Sequence, residues 1–178
     1  MTQPPSDIPE APPEVREVIL REYDPAWAQL YEEWRARILD VAGDHITEIH
    51  HIGSTAVPGL LAKPVIDIMP GIAQFEDGLS IVRAMQDLGF QSRGEFGLLL
   101  RHYFNRTDVH VHVYPVGQGQ WHEQLAFRDY LRTHEEARTA YTALKRDLQH
   151  RHRYNHNAYT EAKSDFIASI LAKARPNA

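Results

Sequence analysis

Residues 51 to 67, His-Ile-Gly-Ser-Thr-Ala-Val-Pro-Gly-Leu-Leu-Ala-Lys-Pro-Val-Ile-Asp, constrain the fold of this chain more than any other stretch. An apolar, β-leaning run with Ile46, Ile49 and Ile52 ends at Gly53-Ser54-Thr55. A segment broken by Pro58, Gly59 and Pro64 follows, and a second apolar run carries one acid, Asp67. That order predicts a strand, a turn able to hold an anion, and a strand bearing a carboxylate. Gly53 permits close backbone approach, the Ser54 and Thr55 hydroxyls and free N–H groups can receive phosphate oxygens, and Asp67 can hold a cation nearby. Lys63 adds a positive charge inside the same stretch.

The elements around it follow from periodicity. Val15 to Tyr23 alternates loosely and predicts a short edge strand. Asp24-Pro25 is a helix start, with the carboxylate as cap and proline pre-set for the first turn, and Trp27, Leu30, Tyr31, Trp34, Ile38 and Val41 recur at helical spacing up to Gly43. Those aromatics read as core. Phe75, Leu79, Val82, Met85 and Leu88 predict a second amphipathic helix ending at Gly89. Asp108 to Tyr114 alternates as a strand, with Val109, Val111 and Val113 on one face and Asp108, His110, His112 and Tyr114 on the other. The last third predicts helices over Trp121 to Arg132, Glu135 to His152 and Tyr159 to Ala174. Strands early and mid-chain with helices flanking and finishing imply an α+β domain: a small mixed β-sheet flanked by helices, with a helical C-terminal tail. Residues 1 to 14, rich in proline, are expected to form a disordered lead-in, and residues 15 to 175 one domain.

Several stretches resemble the GrpB family: His51-Ile-Gly-Ser-Thr-Ala-Val-Pro-Gly59 with Ala62-Lys-Pro-Val-Ile-Asp67, then His110-Val-His112, Phe127-Arg-Asp-Tyr-Leu-Arg132, Tyr141 to Lys145, and Tyr159-Thr-Glu-Ala-Lys163. Gly-Ser, a spacer and an acid on a strand is also similar to the start of the nucleotidyltransferase superfamily pattern. The resemblance implies a nucleotidyltransferase-like fold in which the strand of His110 and His112 lies beside that of Asp67. One carboxylate and two imidazoles would then surround one spot, a set that suits Zn²⁺, Mn²⁺ or Fe²⁺ better than Mg²⁺. Two solvated histidines, or one acting as a general base without metal, stay open as readings. The pattern's second acid belongs at position 69, where this chain has Met69, and a thioether does not hold Mg²⁺.

Candidate roles follow. Asp67 and His112 are the catalytic candidates; Asp67, His110 and His112 would hold a divalent metal ion (Mg, Mn or Zn); Gly53, Ser54, Thr55, Lys63 and Arg128 would bind a nucleotide or other phosphate-bearing small molecule. Arg128 and Arg132, four apart on a helix, could fork onto phosphate or pair with Asp129. His51 is either a further polar site residue or a hydrogen-bonded core histidine. Lys145 and Lys163, each four residues after a tyrosine, read as stacking or structural groups. Three functions compete: nucleotidyl transfer from a nucleoside triphosphate, a non-catalytic nucleotide-binding domain, and a metal-dependent hydrolase on Asp67, His110 and His112. Met69 leaves the choice between enzyme and binding domain open.

Composition narrows the classes. A formal charge of -5 argues against nucleic-acid or anionic-membrane binding, and the lack of cysteine removes disulfides and thiolate chemistry. No Gly-x-x-x-x-Gly-Lys-Ser/Thr loop, Gly-x-Ser-x-Gly elbow or His-Glu-x-x-His helix occurs. No apolar run reaches membrane-helix length, and a cytoplasmic protein is expected.

Overall fold

A computed structural model describes residues 17 to 174. Five strands form one mixed sheet: β1 (Glu48–Ile52), β2 (Ile66–Ile72), β3 (Gln91–Ser92), β4 (His102–Asn105) and β5 (Val109–Pro115). Their order is β1-β2-β5-β4-β3. β2 and β5 run parallel at the centre with Asp67 opposite His110, and every other pair is antiparallel.

Strand alternation divides the sheet into two unlike faces. On one, Ile66, Ile68, Ile72, Val109, Val111, Val113 and Phe104 meet Trp27, Tyr31, Trp34 and Ile38 of α1 (Ala26–Ala42). Burying these β-branched and aromatic side chains is the main drive for the sheet's assembly. The Asp24 carboxylate accepts the Ala26 N–H at 2.9 Å, and Pro25 (φ −56°) leads into the helix as its sequence predicts. Two short helices, α2 (Asp77–Ser80) and α3 (Val82–Asp87), complete that layer. The single helix expected over 75 to 89 is divided at the buried Ile81. Gly78 seats α2 directly against the His102 ring, where a Cβ would lie 2.1 Å from an imidazole carbon.

The other face is covered at one end and open at the other. Ile52, Met69 and Tyr114 lie beneath Trp121 of α4 (Trp121–Thr133). Further helices, α5 (Glu135–Arg151), α6 (His156–Glu161) and α7 (Ser164–Ala174), complete the C-terminal tail. They pack on the loop between β1 and β2, through Val57 and Leu60 against Leu131 and Tyr141. The tail breaks at Ala162-Lys163, where one helix from 159 to 174 was expected. Asn155 Oδ1 caps α6 by accepting the Ala158 N–H at 3.0 Å.

The edge strand expected over 15 to 23 does not form within the described residues. Arg21 makes one isolated bridge to Ala62, and the Val18 N–H donates to the Arg153 carbonyl at 2.8 Å. The segment's backbone bonds go to the β1–β2 loop and the helical tail. The proline-rich residues 1 to 14 lie outside the described residues. No helix among those described is long and apolar enough to cross a membrane.

Met69 shares the face of Asp67, as alternation requires, yet it is 0% exposed. A carboxylate there would be desolvated under Trp121. Met69→Asp is expected to destabilise the fold by more than about 3 kcal/mol in a denaturant titration, without creating a metal ligand.

Candidate functional site

The open end of the second sheet face and the loop after β1 form one cavity of about 830 Å³. Gly53, Ser54, Thr55, Lys63, Asp67, His110 and His112 all line it. β1 and β2 are antiparallel with Ile52 opposite Asp67, so the Gly53-Ser54 turn emerges beside the acid. Gly53 has φ 70°, and a Cβ there would lie 2.4 Å from Asp67 Oδ2. A residue with a side chain would both strain the backbone and push the carboxylate away.

The parallel pairing brings the histidines to the same acid. His112 Nε2 lies 3.2 Å, and His110 Nδ1 3.5 Å, from Asp67 Oδ1. Burial pushes the Asp67 pKa up, but hydrogen bonds from His110 and then His112 outweigh it and hold the carboxyl well below the usual range. Its side chain stays 27% exposed. Candidate ligand atoms of Asp67, His110 and His112 lie within 4.8 Å of one another. Behind them, Arg101 Nη1 lies 3.4 Å from His112 Nδ1. With a guanidinium donor at Nδ1, the neutral ring carries its proton on Nε2 and donates it to Asp67.

Positive charge gathers across the cavity. Lys145 Nζ donates to Ser54 Oγ at 3.1 Å and to the Leu61 carbonyl, and lies 4.5 Å from the centre of the Tyr141 ring. Lys63 and Lys163 share the ring of Tyr159, at 5.8 and 4.5 Å. Among the described residues neither ammonium group makes a hydrogen bond or an ion pair. Burial, then the charges of Lys163 and Lys63, lower Lys145 to about 7. Burial, then Lys63, lowers Lys163 to about 8. Burial also lowers Lys63, against the opposing pull of Asp67.

Two sequence candidates lie elsewhere. Arg128 does not line the cavity: Nη1 donates to the His51 carbonyl at 3.0 Å, and Nε and Nη2 engage Asp129. Arg132 Nε likewise donates to the Ala56 carbonyl at 3.0 Å. Both guanidiniums brace the Gly-Ser turn from behind. His51 points to the opposite sheet face, stacked on Tyr31 with ring centroids 4.7 Å apart, and Nε2 is 3.1 Å from Thr55 Oγ1. Burial, with Arg132 and Arg128 adding to it against Asp67, lowers its pKa to about 4 and leaves it neutral.

Sequence reasoning did not assign Lys145, Lys163, Phe96, Arg101 or Tyr103 to the cavity. A signal existed for Lys145, which falls on the same helical stripe as Tyr141, Leu144 and Leu148, where a lone cation needs a reason. Segment 96 to 103 carries no comparable pattern.

A model of the family described as GrpB protein matches residues 17–173. This chain belongs to the GrpB family. A UPF0157 protein of Streptomyces coelicolor is 41% identical over 166 residues, covering 91% of this chain and 87% of the relative. The UPF0157 protein YqkA of Bacillus subtilis is 35% identical over 89% of this chain, which spans 47% of that relative's length. The crystal structure of conserved protein GrpB from Enterococcus faecalis matches with a TM-score of 0.82 and 34% identity, covering 88% of this chain and 96% of that one.

Two outcomes follow for this GrpB chain. Gly53→Ala is expected to cost about 1–2 kcal/mol from the left-handed backbone alone, read by thermal or chemical denaturation. Lys145 and Lys163 keep a proton in the unfolded chain to about 10.5 but release it near 7 and 8 when folded. Their desolvation penalty is therefore full below pH 7 and is relieved as pH rises, so they make stability increase between about pH 7 and 10. Lys145→Met is expected to flatten that slope in melting curves taken across the window.

Proposed function

We propose that this cavity binds a nucleoside triphosphate and transfers its nucleotidyl group to a hydroxyl acceptor: the acceptor oxygen bonds to the α-phosphorus, the bond from that phosphorus to the β-phosphate oxygen breaks, pyrophosphate leaves and the hydroxyl proton passes to solvent. The observation that carries the reading is the pair of ammonium groups of Lys63 and Lys163 on Tyr159, in the same cavity as Ser54 and with only the longer-range pull of the Asp67 carboxylate acting on them. Desolvated cations that make no direct ion pair gain most from an anionic ligand, and a phosphate chain supplies several charges at close spacing. Gly53-Ser54 follows β1 and Asp67 lies on the neighbouring antiparallel strand, an order similar to the phosphate turn and first acid of the nucleotidyltransferase pattern. That likeness supports a nucleotidyltransferase-like reading of the fold.

Asp67, His110 and His112 fit a divalent transition metal: one carboxylate and two imidazoles, close enough to meet on one ion and exposed on the cavity side. Such an ion would supply Lewis-acid polarisation of a phosphoryl oxygen. The chain's own contributions are positional. Lys145 holds the Ser54 hydroxyl, Arg128 and Arg132 hold the carbonyls at the two ends of the turn, and Lys63 and Lys163 offer charge to the phosphate oxygens.

A second reading, ligand binding without turnover, has two observations in its favour. Met69 removes the second acid and is sealed under Trp121. Arg101 aims the His112 Nε2–H at Asp67, so the pair satisfies itself without a metal. Hydrolysis at the same three residues would differ from transfer only in using water as the acceptor.

Calorimetry with inorganic tripolyphosphate and ATP tests the anion site. Both are expected to bind, with Lys63→Met and Lys163→Met each weakening them about tenfold or more. Transfer of label from α-labelled triphosphates, assayed with Mn²⁺ or Zn²⁺ and mixed small-molecule hydroxyl acceptors, is expected to vanish in Asp67→Asn. Binding without transfer under any metal sinks the transferase reading and leaves the second. Absence of binding sinks both.

A further inference from the structure

The segment joining β3 to β4 holds its backbone in a form that side chains avoid. Gly94, Phe96, Gly97 and Leu100 have φ of 58°, 44°, 79° and 62°. Two of these four bear side chains, and the left-handed region costs them conformational energy that only surrounding contacts can sustain. Those contacts are present. Arg101 Nε donates to the Glu95 carbonyl at 3.1 Å and Nη2 to the Phe96 carbonyl at 2.7 Å, while the Glu95 carboxylate accepts the Leu100 N–H at 2.6 Å.

What the clamp presents is an aromatic ring. Phe96 lines the cavity yet is 67% exposed. One face lies over Tyr103, with centroids 5.4 Å apart and planes 28° from parallel. Tyr103 is fixed in turn by the Arg101 guanidinium, 4.6 Å from its centroid, and by His112 at 5.1 Å. Among the described residues the Phe96 ring has no other aromatic neighbour. Contacts run from Phe96 through Tyr103 and His112 to Asp67, the acid whose charge reaches Lys63 and Lys163. The cavity therefore carries an exposed aromatic face and a group of ammonium cations in one lining.

We propose that Phe96, backed by Tyr103, is the stacking platform for the base of a nucleotide whose phosphates lie on Lys63 and Lys163. The proposal rests on the polyphosphate reading of those lysines and adds the chemical class of the ligand's other end. A nucleobase is a planar π-system joined to a phosphate chain, which matches an aromatic face and ammonium groups lining one cavity. Stacking reads a π-face rather than a base edge, so ATP and GTP bind with similar affinity, and both more tightly than inorganic tripolyphosphate. Because Phe96 is exposed, its replacement leaves the core untouched.

Calorimetric titrations of ATP and of inorganic tripolyphosphate into the wild type, Phe96→Ala and Phe96→Trp test the platform. Phe96→Ala is expected to weaken ATP about tenfold or more while leaving tripolyphosphate unchanged, and Phe96→Trp to restore ATP binding. The fluorescence of the indole introduced by Phe96→Trp is expected to be quenched by ATP and not by tripolyphosphate. Unchanged ATP binding in Phe96→Ala overturns the platform and leaves the lysine site standing. Equal weakening of ATP and tripolyphosphate also overturns it, since the segment would then act only by supporting the cavity. Failure of tripolyphosphate to bind the wild type overturns the lysine reading, and the platform with it.

Discussion

The contact between the Asp67 carboxylate and the bare Cα of Gly53 fixes where the rest of the site can stand. Asp67 lies on the strand at the centre of the sheet's parallel pair, opposite His110, with the turn after β1 pressed against its oxygens. A side chain at position 53 would occupy the space the carboxylate uses. With glycine there, the acid stands between the Gly53-Ser54 turn and two imidazoles. The aromatic layer on the far side of the sheet makes this geometry durable, because Trp27, Trp34 and Phe104 hold β2 and β5 together independently of the polar face.

Charge is distributed unevenly around that acid. Lys63, Lys145 and Lys163 line the same cavity, while the guanidiniums of Arg128 and Arg132 are spent on main-chain carbonyls of the turn. The site thus separates groups that shape the loop from groups left to meet a ligand. Lys145 belongs to both sets, since it holds Ser54 and Leu61 while adding to the field felt by its neighbours. A field of this kind favours an anion over a neutral ligand, because each buried ammonium has already lost its water.

Much of the polar constellation could be read from the chain. Gly53, Ser54, Thr55, Lys63, Asp67, His110 and His112 do meet in one cavity, because a two-residue strand period puts His110 and His112 on one face, and parallel pairing sets that face beside Asp67. Reading faces also explains Met69, which is on the side alternation assigns but under α4 rather than in the cavity. Where the reading departed from the structure, the cause was a partner distant in sequence. Arg128 finds the His51 carbonyl, and the segment near Arg21 gives its bonds to Ala62.

The sequence by itself determined the strand alternations, the cap at Asp24, the Gly53-Ser54 turn between two strands and membership of the GrpB family, all of which depend on neighbours a few residues away or on ordered motifs. Tertiary structure decided which charged groups face the cavity: Lys145 and Lys163 enter it, while Arg128 and His51 lie outside it. It also set Phe96 at the mouth through Arg101 and Tyr103. The reason is physical. Local spacing fixes the direction of a side chain relative to its own element, whereas solvation, pairing and pKa depend on what the other elements bring against it.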